Sequence, residues 1–139
     1  MTPTGKQPNA LAQPLTLPSA GRVAAYLGLL VLGAMTGVAG GLVQSGWFPG
    51  GLLLALAGAA GLFVGGGWAT GARAGALAPA AGWMVAVVLL TASRPEGDFL
   101  FGAGVGSYLF LLGGMGIAVI CATLAPGRQP GGSGARLGK

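Results

Sequence analysis

Glu96 and Asp98 are the only two acids in this chain of 139 residues, and Arg94 stands just before them. Three kinds of chemistry are open to the stretch RPEGD. Pro95 and Gly97 favour a turn, which the charged side chains would solvate, and Asp98 or Ser93 suits the cap of a helix end. The two carboxylates could ligate a hard cation, but such ions take six to eight oxygens, and no third fixed ligand is near in sequence. Arg94, Glu96 and Asp98 could also form a charged docking epitope for a partner outside the membrane. Residue types favour the solvated turn over docking, and docking over a cation.

Other reactive groups are scarce. The chain has no His, and its one Cys, Cys121, lies in an apolar run where a thiol behaves as a small hydrophobe. Without His or a Cys cluster, a transition-metal site and a nucleophile–base pair both lack their parts. No Gly-rich phosphate loop ending in Lys-Ser or Lys-Thr occurs. The expectation is therefore no enzyme, no cofactor and no metal. Proton-coupled transport would call for an acid inside an apolar segment, and both acids lie outside them.

The elements around RPEGD are greasy. Charged residues make up 6% of the chain against roughly 25% in soluble domains, so a soluble surface cannot be built. Four windows reach the roughly 20 apolar residues of a helical membrane span: about 23–44, 51–70, 75–92 and 101–124. None contains a charge. No apolar/polar alternation suggests barrel strands. The glycine-rich second window also admits a re-entrant loop. The first resembles a secretory signal around GVAG, but its run exceeds an ordinary signal core, so retention is expected. The fold class expected is all-α: a polytopic, four-helix transmembrane bundle over 22–125. It is flanked by a disordered tail over 1–21 and a basic disordered tail over 126–139, both too poor in apolar residues to order alone.

Basic residues set the expected orientation. Lys6, Arg22, Arg73, Arg128, Arg136 and Lys139 fall on one side of a four-span chain, and only Arg94 on the other. By the positive-inside rule both tails are cytoplasmic, in a plasma-membrane protein. Aromatics agree, with Trp47, Phe48, Phe99 and Phe101 at the outer ends and Tyr26 and Trp68 at the inner ones. The net charge of +5 does not imply nucleic acid, because the cations form no stripe interleaved with aromatics.

The thirty glycines recur at helical spacing. Gly33, Gly37, Gly41 and Ser45 make a row in the first span. Ala57, Gly61, Gly65 and Ala69 make one in the second, and Ala74, Ala78, Gly82 and Ala86 one in the third. The fourth span has Gly102, Gly106, Gly114, Ala118 and Ala122. A four-residue step keeps small side chains on one face, which lets two helix backbones approach closely in lipid. These rows are expected to close the bundle, with any surplus row serving a second copy or another membrane protein. Pro79 is placed near the start of its helix, where a missing N–H is tolerated. Short turns make sequential helices antiparallel neighbours.

The segment GARAGALAPAAGWMVAVVLLTASRPEGDFLF, with its Arg-bearing turn, Pro- and Trp-bearing helix and EGD turn, resembles a family of small four-helix integral membrane proteins of unknown function from high-GC bacteria. The resemblance spans about 22–125 and implies fold and location but no activity. Two function classes follow. The favoured one is a non-enzymatic structural or accessory membrane subunit. The alternative is a small transporter or channel for a neutral or weakly polar solute, its path lined by Gly backbone, Thr36, Ser107, Tyr108 and Trp83.

Overall fold

A computed structural model of the chain describes residues 19–92 and 104–127. The described residues form four helices: α1 (Ala20–Gly46), α2 (Gly50–Thr70), α3 (Arg73–Thr91) and α4 (Val105–Leu124). Each is long and apolar enough to cross a membrane, which suggests a multi-pass membrane protein. At 27 residues α1 is about 40 Å long, more than the ~30 Å of a hydrocarbon core, so it must tilt or project beyond it. The expected tails over 1–21 and 126–139 lie almost wholly outside the described residues.

The turns follow from local chemistry. Between α1 and α2 only Trp47, Phe48 and Pro49 intervene, and the Phe48–Pro49 peptide is cis. Between α2 and α3, Gly71 takes a left-handed conformation (φ 60°) that an L side chain would resist, and its N–H donates to Trp68 O at 3.3 Å. Thr70 Oγ1 donates back to Gly66 O at 2.9 Å. A second geometry to Ala72 O at 3.3 Å is open to the same hydroxyl.

The most extensive seam joins α1 to α3, not a sequential pair. These two helices run in the same direction, because Gly33 meets Pro79 while Gly37 meets Trp83 and Ala86. The sequence leaves the packing order of the helices open. Short turns do make α1/α2 and α2/α3 antiparallel neighbours, but they do not decide which surfaces fit most closely. Glycine does. A methyl built on Gly33 would lie 2.6 Å from the Pro79 carbonyl carbon, and one on Gly82 would lie 2.8 Å from the Leu30 carbonyl carbon. Backbone therefore rests on backbone, with Cα–H groups facing carbonyl oxygens, a contact worth about 0.5–1 kcal/mol each.

Pro79 is the seventh residue of α3, inside the helix and not near its start as the sequence suggested, because α3 begins at Arg73. Its ring removes the donor that would have reached Gly75 O. The freed carbonyl points at α2, where any side chain on Gly66 would collide with it. The helix thus tolerates Pro79 where its neighbour presents bare backbone.

Candidate functional site

The centre of the bundle is aromatic. Trp83 is 0% exposed and lies edge-on to Phe63 of α2 (centroids 6.3 Å apart) and to Phe110 of α4 (5.3 Å). Each such pair contributes about 0.5–1.5 kcal/mol beyond its packing area. The indole fits because α1 and α4 carry no side chain there. A methyl on Gly37 would stand 3.3 Å from its Cδ1, and one on Gly114 would collide with the far edge of the ring. Leu52, Ala55, Ala59, Ala80, Val87 and Cys121 complete the core.

The glycines singled out from the sequence divide into groups. Gly33, Gly37, Gly41, Gly82 and Gly114 are buried at helix contacts. Gly106 is half-buried beneath the Phe48 ring. Gly61 and Gly65 take no part in closing the bundle: both are exposed and meet nothing within 4 Å. The reason is rotational. Phe63 is two residues, about 200° of helix, from each of them, so burying Phe63 against Trp83 turns the row of Ala57, Gly61, Gly65 and Ala69 outward. The buried stripe of α2 is instead Gly51, Leu52, Ala55, Ala59, Phe63, Gly66 and Gly67. Gly102 lies outside the described residues, as do Arg94, Glu96 and Asp98.

The residues suggested for a solute path do not converge. Trp83 is sealed in the core, while Tyr108 is 61% exposed on the outside of α4. Thr36 turns its hydroxyl onto its own helix, donating to Leu32 O at 2.8 Å. Ser107 lines a cleft at the end of the bundle where α4 begins, far along the chain from Thr36.

Sequence reasoning missed Gln44. It is 5% exposed, and among the described residues its Oε1 and the Trp83 Nε1 are buried polar atoms with no hydrogen-bond partner. The stripe Gly33, Gly37, Gly40, Gly41 continues to Gln44, whereas the reading by fours carried it to the exposed Ser45. A step of three after Gly37 was the available signal. Gln44 opens onto a cleft of about 270 Å³ with Ser45, Phe48, Gly104, Gly106 and Ser107. A methyl on Gly106 would stand 3.7 Å from the Phe48 ring and 4.0 Å from Gln44 Oε1, so α1 and α4 meet here across bare backbone.

A second cleft, of about 340 Å³, lies between α2 and α4 near the opposite end, walled by Phe63, Trp68, Cys121 and Leu124. It is almost wholly apolar. A groove between α1 and α2 includes Thr36, Gly40, Leu54 and Gly58.

Taken together, this is an all-α chain of four candidate transmembrane helices whose glycines let backbones touch around an aromatic centre. The chain belongs to a family of unknown function, DUF6113, whose model matches residues 8–138. No curated protein and no solved structure matches it.

Proposed function

We propose that this protein is a non-enzymatic structural or accessory subunit of the plasma membrane, crossing it four times with both tails in the cytoplasm. Its partners are the lipid bilayer and a second membrane protein or another copy of itself. The observation that carries this reading is the outward row on α2. Gly58, Gly61 and Gly65 are exposed and meet nothing within 4 Å, although an exposed helix position in lipid has no need of glycine. The buried rows already close the bundle, so this one is surplus, and small residues in a row admit another helix at close range. The distribution of cations between the two sides supports the orientation.

The test is purification in a mild detergent with mass determination of the intact complex, for the wild type and for Gly61→Leu/Gly65→Leu. The reading expects an assembly larger than one chain that the double variant dissolves while its helix content, read by circular dichroism, stays that of wild type. A strict monomer with no co-purifying protein overturns it.

A further inference from the structure

The Gln44 cleft lies where two helix ends of opposite sign meet. α1 ends at Gly46 with no basic residue in its last turn, and its final carbonyls form the negative end of the helix dipole. α4 begins at Val105 behind Gly104, with no side-chain cap and no acid in its first turn, so its opening N–H groups form a positive end. Nothing on either helix neutralises its own end. Between them Gln44 holds an acceptor oxygen, Oε1, away from solvent and without a donor.

A buried unpaired acceptor costs about 1–3 kcal/mol unless a donor arrives. Among the described residues, the lining of the cleft has no charged side chain. An anion alone would pair with the α4 N–H groups but leave Oε1 unsatisfied. A cation alone would do the reverse. A zwitterion with N–H donors satisfies both sides. The cleft volume, about 270 Å³, falls just under the ~300–1,000 Å³ of drug-sized ligand pockets, which suits a head group. Phe48, 60% exposed, forms one wall and supplies a ring face for a cation. In a membrane-spanning bundle this end of α1 lies at the level of lipid head groups.

We propose that the cleft between Gln44 and Gly106 binds the head group of an ethanolamine phospholipid, the ammonium donating to Gln44 Oε1 and the phosphate accepting from the α4 N–H groups ahead of Ser107, whose own N–H already donates to Gly104 O at 3.0 Å. Choline phospholipid has the same charges but no N–H on its quaternary nitrogen. It leaves Oε1 unpaired and binds less well. Phosphatidylglycerol lacks the cation and binds less well too. Acyl chains run down the exposed apolar surface beside the cleft, so the surrounding bilayer supplies this ligand.

The experiment measures lipid retention by native mass spectrometry of the full chain. The chain is released from nanodiscs holding equal parts of phosphatidylethanolamine, phosphatidylcholine and phosphatidylglycerol. The expected result is a roughly tenfold preference for the ethanolamine lipid over the choline lipid, the ratio that one charge-assisted hydrogen bond provides. Gln44→Met keeps the volume and removes the acceptor, so the preference falls to unity. Gln44→Glu restores an acceptor and the preference with it. A fold control runs in parallel: Gln44→Met removes an unsatisfied group and should unfold no earlier than wild type in pure choline lipid. If Gln44→Met fails to fold, Gly106→Ala substitutes for it, because its methyl enters the cleft at ordinary contact distance and should also lower the preference. Equal retention of the three lipids by wild type overturns the proposal, as does a preference for phosphatidylglycerol. So does a preference that survives Gln44→Met. Loss of a co-purified protein on Gln44→Met, without any lipid preference in wild type, overturns it in favour of a partner helix at this site.

Discussion

Gly33→Ala and Gly61→Ala look alike in the sequence, each being the replacement of a glycine within a row, yet the structure separates them. At Gly33 the new methyl would sit 2.6 Å from the Pro79 carbonyl carbon and 2.7 Å from its Cα. Ordinary carbon contacts fall at about 3.5–4.0 Å, so α1 and α3 must part by about 1 Å. Backbone occupies both sides, so no rotamer change relieves the overlap. A gap of that size forfeits a quarter to a half of each affected contact. Over a few tens of atom pairs at about 0.1–0.2 kcal/mol, the loss comes to about 1–3 kcal/mol, the usual range for overpacking. Within one chain Gly61 meets nothing, so in micelles dilute enough to hold single chains its methyl adds only helix propensity, up to about 1 kcal/mol of stabilisation. The same propensity gain accompanies Gly33→Ala and cancels in the difference. Reversible unfolding of the two variants in mixed detergent micelles should therefore separate them by about 1–3 kcal/mol, Gly33→Ala being the weaker. Values that agree within experimental error would refute the claim that backbone contact at Gly33 holds the α1–α3 seam.

Trp83→Ala should cost about 3–5 kcal/mol in the same assay, because Phe63 and Phe110 lose their common partner. Trp83→Phe should cost far less, since it opens a small cavity but also removes the unpaired Nε1 donor. Cys121 is buried in the core, so maleimide labelling in the folded protein should be slow and should track unfolding when denaturant is added. Reporter fusions at the two ends should both be active in the cytoplasm, and activity of either one outside would overturn the proposed orientation.

The helices were legible because lipid imposes a coarse requirement, about 20 apolar residues per span, that composition alone reveals. Spans 51–70 and 23–44 differ from α2 and α1 by a few terminal residues, as helix ends usually do. The rotation of each helix was not legible from the small residues. On α2 two small stripes compete, Ala57–Gly61–Gly65 and Ala55–Ala59–Gly66, and spacing treats them alike. The deciding residue is Phe63, whose ring must reach Trp83 across the bundle. A glycine permits close approach, but it takes a large side chain on the partner helix to say which glycine is approached.

The same asymmetry explains why Gln44 escaped notice. A row read by strict fours drifts off the buried face, because four residues turn a helix by about 400° and not 360°. From Gly33 to Gly41 the drift is about 80°, still within the buried face, and a step of three resets it at Gly40 and Gln44. Ser45, the next member by fours, has drifted into the open, where its hydroxyl donates to Leu42 O at 3.0 Å. Gln44 is therefore held inside by the packing register of the α1 stripe and not by any partner for its Oε1. A residue kept buried at a cost, beside a cleft with room for a donor, is where a membrane protein without reactive side chains can still recognise something.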